Sequence, residues 1–292
     1  MGLRMIGPSA VERLENAQIE RIQFPVRNPF VCAVLNHKGA STKTSVTLGI
    51  GSAFAKYRRA PRVLAIDADI AFGNLGERVL NPPPQGFREL LAREQKSSVQ
   101  AATDLGNYVG FTRERLNVLG GENSADESVA GMTPGELHAL LEFARRWYDI
   151  ILIDCTNDLR SPLVEEAVKA SDAVVIAAAL RADSTLGAGN TLDFLESRGY
   201  DKLIRNAIVV LSDIYDARDK TARKKLESKF RGMVHTVRAI GYDKHIATAG
   251  ALDLDRTSRA SQLAFTEIAA SLAELFSTSS DQAGHFDAGA AR

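Results

Sequence analysis

The sequence predicts an α/β domain of three layers, a mostly parallel central sheet with helices on both faces. Two observations point there. Short aliphatic runs at residues 30–35, 62–66, 150–153, 173–178 and 206–211 alternate with longer stretches whose apolar residues recur at helical spacing. Several runs are apolar throughout rather than at every second position, the pattern of strands covered on both faces. A third observation concerns what the runs end on. The first leads into a turn of small polar residues, and two others finish on Asp67 and Asp154. Ligands of open α/β sheets bind at such carboxyl ends.

Composition sets the outer bounds. The chain has 292 residues, 45% apolar and 25% charged, ordinary values for a soluble globular protein and enough to bury a large core. With 36 basic and 36 acidic residues the net charge is zero, so nucleic-acid contact would have to come from a local patch. No run approaches the ~20 apolar residues of a membrane span, and the first residues lack a signal-peptide h-region. Stable membrane insertion is therefore not expected, and a cytoplasmic location is. Cys32 and Cys155 fall at buried strand ends, as reduced thiols packing like small hydrophobes. The five histidines show no metal-ligand spacing.

Taken in order, Ser9 caps a short helix over 10–19, and Pro25 and Pro29 force an extended lead-in to the first strand. Residues 1–28 are read as an N-terminal arm, 29–276 as one domain, and the Ser/Gly/Ala-rich 277–292 as a disordered tail. A helix follows the first strand from Lys43 to Phe54. Its Gly49 and Gly51 tempt a dinucleotide-binding reading, but they lie inside the helix and lack the third glycine. Beyond the second strand, a short helix is expected over 86–93, short strands over 108–111 and 116–119, and a flexible stretch to 131. Thr133, Pro134 and Glu136 make a capped helix start, with the helix reaching Trp147. A helix over 161–170, a strand over 173–178, a helix over 184–197 and a strand over 206–211 follow. The chain closes with a basic helix over 216–231, a last strand over 234–237 and an amphipathic helix over 263–276.

The stretch from Phe30 to Phe54 is strand, tight loop, Lys-Thr, helix, the arrangement that holds nucleotide phosphates. Loop amides and the first helical N–H groups converge on an anion, and the helix dipole adds to the attraction. Lys43 would supply charge to the β- and γ-phosphates, and Thr44 a hydroxyl to Mg2+. The residues Lys38-Gly39-Ala40-Ser41-Thr42-Lys43-Thr44 resemble the deviant P-loop of the ParA/MinD ATPases, K-G-G-x-x-K-[ST], with Ala40 in place of a glycine. Thr42 likewise replaces a glycine that most members carry. Asp67-Ala-Asp69, followed by Asn74-Leu75, resembles the family's switch I segment. Tyr148 to Asp154 resembles a strand carrying the Walker B acid, while Cys155-Thr156-Asn157-Asp158 departs from the usual switch II.

The resemblance spans roughly residues 30–276 and implies a P-loop NTPase fold, ATP and Mg2+ as cofactors, and a homodimer formed with ATP. Residues 38–45, Ser45 included, would cradle the nucleotide. Lys38 would reach the partner's phosphates, Asp69 would orient the attacking water, and Asp67 and Asp154 would support the Mg2+ with Thr44. Ser212, Asp213, Tyr242 and Asp243 match positions near the base. Three roles compete. A partition role would use non-specific DNA binding through Arg218, Lys220, Arg223, Lys224, Lys225, Lys229 and Arg231, with nucleoid association and an adaptor protein that stimulates hydrolysis. A membrane-positioning role of the MinD kind would need a basic C-terminal helix, yet 263–276 carries Glu267 and Glu274 and no Lys or Arg. An accessory role in positioning or assembling a secretion or conjugation apparatus is suggested by Tyr242 to Leu254, which is similar to actinobacterial MinD-like ATPases near secretion systems.

Overall fold

One sheet organises the chain. Its strands are β1 (Phe30–Leu35), β2 (Val63–Ala68), β3 (Gly110–Phe111), β4 (Asn117–Leu119), β5 (Ile150–Cys155), β6 (Ala173–Ala179), β7 (Ile208–Ser212) and β8 (Thr236–Ile240). Their order across the sheet is β3-β4-β2-β5-β1-β6-β7-β8, and every pairing is parallel except β3 with β4. The computed structural model describes residues 9–37, 42–68, 73–96, 99, 101–120, 131–216 and 220–277. The helices among them are α1 (Ala10–Ile22), α2 (Lys43–Tyr57), α3 (Phe87–Gln95), α4 (Pro134–Ala144), α5 (Pro162–Lys169), α6 (Ala182–Ser197), α7 (Asp201–Arg205), α8 (Lys220–Phe230), α9 (Lys244–Ala247) and α10 (Arg259–Ala273).

The uniform apolar runs do form strands buried on both faces. Every residue of β1, β2, β5 and β6 is buried, and successive side chains enter opposite cores. Ile150 and Leu152 join one core with α2, α10 and Ile22 of α1. Ile151, Ile153 and Cys155 join the other, with α4, α5 and α6. Cys32 belongs to the first core and Cys155 to the second, so the sheet itself separates these free thiols. Burial, reinforced by the Asp172 charge, pushes the Cys32 thiol far up from its ordinary value.

Local signals place most helix starts. Ser9 and Glu12 form a capping box on α1, and Thr133 and Glu136 form another on α4 behind Pro134. Several boundaries differ from the sequence expectation. α1 runs on to Ile22, which is fully buried, and the helix lies against α10 and α2. β8 starts at Thr236 rather than 234 and continues to Ile240, because its register against β7 pairs Thr236 with Ile208 and Ile240 with Ser212. α10 starts at Arg259, where the Ser258 hydroxyl accepts from the Ser261 amide. Asp216 is not helical; its φ is 54°.

Gly49 and Gly51 serve packing. A Cβ at Gly49 would stand 2.1 Å from the Phe265 ring of α10, and one at Gly51 2.7 Å from Leu116. The glycines let α2 approach its neighbours more closely than any side chain would allow. Asp243 ties the end of β8 to the start of α10. Its carboxylate accepts from the His245 and Ile246 amides at 2.9 and 3.3 Å, the Ser258 amide at 2.7 Å and the Ser261 hydroxyl at 2.8 Å. Burial alone would raise its titration point, but these bonds, the Ser258 amide foremost, outweigh burial and hold it below the ordinary carboxylate value.

Two outcomes are expected. Gly49→Ala gains up to ~1 kcal/mol of helix propensity but forces Phe265 aside, so denaturant unfolding should show a net loss of about 1–2 kcal/mol. Asp243→Ala should cost about 1–3 kcal/mol at neutral pH. Because the folded carboxyl titrates below its unfolded value of about 3.9, that contribution is full above pH ~4 and is lost as pH falls through the folded value. The stability gap between wild type and variant, followed by urea unfolding at stepped pH, should therefore close in acid.

Candidate phosphate-binding site

Strand alternation decides which way the acids face. Ile150 and Leu152 point toward α2, and so does Asp154, two residues further on. Val63 and Ala65 on β2 do the same, which carries Asp67 to that side. The register sets Asp67 directly beside Asp154, and Val34 beside Asp154 on the other flank. Three separated pieces of sequence thus meet at one edge of the sheet, beneath the first turn of α2.

That first turn carries the complementary groups. Thr42, at the N-cap of α2, makes no side-chain cap bond, and the first turn holds no acidic residue. Neither a Thr42 cap bond nor a first-turn acid occupies the helix start, a setting that favours an anion. Thr44 Oγ1 donates to Asp154 Oδ2 at 2.7 Å, and Thr47 Oγ1 lies 3.4 Å from Asp154 Oδ1. Lys43, only 4% exposed, donates from Nζ to the side-chain oxygen of Asn157. Asp67 Oδ2 accepts from the Leu75 amide at 3.0 Å.

Other expected residues fall as follows. Ser212 ends β7 on the α2 side, following Ile208 and Val210. The hydroxyls of Ser212 and Thr42 are buried and have no hydrogen-bond partner among the described residues. Asp213 accepts from the Tyr215 amide at 3.2 Å, and Tyr242 is exposed. Asp243 spends its carboxylate on the capping bonds described above. Lys38, Gly39, Ala40, Ser41, Asp69 and Arg218 lie outside the described residues, as does the side chain of Lys220. On α8, Arg223 pairs with Glu227 at 2.7 Å, and Lys229 lies over the Phe230 ring. Lys224, Lys225 and Arg231 are exposed.

Sequence reasoning missed Arg78. Buried to 6% exposure, it donates from Nη2 to Ser45 Oγ at 3.0 Å and from Nε to the Gly250 carbonyl at 3.2 Å. Its own carbonyl accepts from the Leu252 amide at 3.0 Å. Burial pulls its guanidinium below the ordinary value, and the Asp154 charge opposes that. One cation therefore links the exit of the 67–75 segment, the phosphate helix and the segment after α9. No local pattern marks it: it is a lone arginine at the end of a 3-10 turn, Gly76–Arg78, and its partners are distant in sequence.

The oxygen groups suit a hard divalent cation. Mg2+ beside phosphates needs only one or two carboxylates and a hydroxyl, with water and phosphate completing the shell. Thr44, Asp154 and Asp67 could supply that set, and the buried hydroxyls of Thr42 and Ser212, without partners among the described residues, are groups that a ligand would satisfy.

Comparison with known proteins agrees with this geometry. The family model described as AAA domain matches residues 30–203. The ESX-1 secretion-associated protein EspI of Mycobacterium tuberculosis is 29% identical over 273 residues, which is 93% of this chain and 40% of that protein. The chain thus spans about 40% of the length of the curated relatives it matches. Among solved structures, a ParA family ATPase from Chlorobium tepidum superposes with a TM-score of 0.64 at 18% identity, covering 83% of this chain and 98% of that one. MinD from Pyrococcus horikoshii, complexed with Mg-ADP, gives 0.62 at 17% identity, covering 88% and 98%. With more than half its length matched by the family model, the chain belongs to the AAA domain family, and it has the fold of the ParA and MinD ATPases.

Proposed function

We propose that this chain is an ATP-driven switch of the ParA/MinD kind. On this reading it binds Mg-ATP, pairs with a second copy, and hydrolyses ATP slowly until a partner stimulates it. The observation that carries the reading is the junction of Lys43, Thr44 and Asp154 at the start of an uncapped helix. Lys43 would meet the β- and γ-phosphates. Thr44, Asp154 and Asp67 would hold Mg2+, which would neutralise charge on the phosphates. Lys38 would act across the dimer on the partner's nucleotide, and Asp69 would orient water. Ser212, Asp213, Tyr242 and the backbone at Asp243 would border the base.

The output of the switch is, on this reading, a secretion-associated role exercised through protein partners in the cytoplasm. Likeness to EspI along 93% of the chain supports it. So does the charge distribution: the chain is neutral overall, and Arg223 on the most basic helix is paired within that helix. A second reading, ATP-dependent binding to non-specific DNA, rests on the exposed Lys224, Lys225 and Arg231. No helix among the described residues is long and apolar enough to cross a membrane.

Lys43→Ala should weaken ATP binding by about a hundredfold, the worth of charge-assisted bonds to phosphate. Lys38→Ala should leave binding near wild type but abolish ATP-dependent dimerisation in light scattering. Equal dimerisation by that variant would remove the trans role. For the output, ATP-dependent capture of secretion components with no retention of DNA at low salt is expected. DNA retention that needs ATP and falls steeply with salt would instead establish the second reading.

A further inference from the structure

The two edges of the sheet are finished differently. At one edge β3 is bridged by Asn81, whose carbonyl accepts from the Phe111 amide at 3.0 Å. Pro82, Pro83 and Pro84 follow directly, so the bridging segment has no run of amides with which to extend the sheet. At the other edge stands β8, and among the described residues no strand lies beyond it. Burial reflects the difference. β1, β2, β5 and β6 are buried throughout, whereas Thr236, Val237, Arg238 and Ala239 are each half-buried.

Alternation of the parallel ladder decides which backbone groups are left over. The Thr236 amide donates to the Ala207 carbonyl, and the Ile240 carbonyl accepts from the Asp213 amide. Thr236, Arg238 and Ile240 thus turn their backbone groups to β7, and Val237 and Ala239 turn theirs outward. The Val237 carbonyl is met by Arg238 Nη1 at 3.3 Å. The amides of Val237 and Ala239 and the Ala239 carbonyl have no partner among the described residues. The usual guards of an open edge are missing as well. β8 has no proline, its register against β7 runs without a bulge, and its one charged residue, Arg238, turns to α10 and pairs with Glu267 at 3.3 Å.

We propose that the outer edge of β8 is a docking site for an extended, acidic peptide segment of a protein partner, which joins the sheet as a further strand. The inference stands apart from nucleotide binding. Outward donors and acceptors at alternate residues are met in full by another extended backbone, the basis of recognition by strand addition. A nucleic acid brings charge but no such ladder. The side chains of Val237 and Ala239 pack on the core beneath α8 and are half-covered, so they offer an apolar footing to every second residue of the incoming strand. Charge selects the rest. Residues 231–242 contain Arg231, His235 and Arg238 and no acid. On the α10 side, Glu274 lies 3.2 Å from His235 and Glu267 faces Arg238, so that side is balanced. On α8, Glu227 pairs with Arg223, while Lys224, Lys225 and Arg231 are exposed and have no ion pair among the described residues. The surplus at this edge is positive, which favours an acidic strand and disfavours a second copy, whose own bases would lie opposite these.

The test uses the full chain and a short fluorescein-labelled peptide alternating Glu and Val, with binding followed by fluorescence anisotropy. Saturable binding that weakens as salt rises is expected. An extended chain offers its amides to opposite sides in turn. N-methylation of one alternate set, the Glu amides or the Val amides, should therefore abolish binding, and methylation of the other set should leave it near the parent peptide. Ala239→Pro keeps the ladder to β7, because that amide points away from it. The variant should keep its thermal midpoint and bind the peptide about tenfold or more weakly. A peptide alternating Lys and Val should also bind about tenfold or more weakly. Absence of saturable binding by wild type would overturn the proposal. So would loss with both methylated sets or with neither, equal affinity for the Lys peptide, or unchanged affinity in a folded Ala239→Pro. Should Ala239→Pro fail to fold, the two methylated peptides, measured on wild type, decide the matter alone. Self-association of the chain without nucleotide that a folded Ala239→Pro abolishes would assign the edge to a second copy and overturn the peptide proposal.

Discussion

The hydrogen bond from Thr44 to Asp154 joins the first turn of α2 to the end of β5, 110 residues further along, and the site is arranged around that junction. It exists because β5 lies between β1 and β2 and because all three strands run the same way. Parallel strands put their carboxyl ends on one edge, and the period of two puts Asp67 and Asp154 on the α2 side of that edge. A shift of one residue in the β5 register would turn Asp154 into the opposite core, where a carboxylate among Ile151, Ile153 and Leu163 would have no partner. Packing on both faces therefore fixes the position of the acid more firmly than any bond it makes.

Close packing of α2 serves the same end. Phe265 of α10 fills the space that a side chain at Gly49 would need, and Leu116 does so at Gly51. A helix held this tightly keeps its N-terminus at a fixed height above the strand ends, where Thr44 meets Asp154. Arg78 adds a second constraint. A buried guanidinium is costly unless its donors are met, and here they meet Ser45 on α2 and the Gly250 carbonyl. The segment after α9 is thereby pinned to the phosphate helix, and Asp243 pins its other end to α10.

What such a site controls depends on surfaces rather than on the core. The fold is shared with ParA and MinD structures at under 20% identity, so the scaffold tolerates wide change in sequence. The likeness to EspI reaches 29% over 93% of the chain. Neutral net charge gives the molecule no general attraction to polyanions, which leaves local shape and local charge to select partners.

Much of this protein was legible in one dimension. Uniform apolar runs ending in acids or in a small-residue turn reveal buried parallel strands and the placement of Lys43, Thr44, Asp67 and Asp154 at strand ends and a helix start, because burial on both faces and the strand-to-helix turn each leave a short local pattern. Caps at Ser9 and Thr133 are local in the same way. The exact ends of β8 and α1 were not, because neighbours in space set them: β7 fixes the register of β8, and the α10 core buries Ile22. Nor were the partners of Arg78 and Asn157, whose contacts lie 33, 172 and 114 residues away. The sequence by itself determined which residues stand at the strand ends. Only the tertiary structure decided which distant side chains hold those residues in place, since a contact between distant residues depends on sheet order and helix packing and leaves no spacing to read.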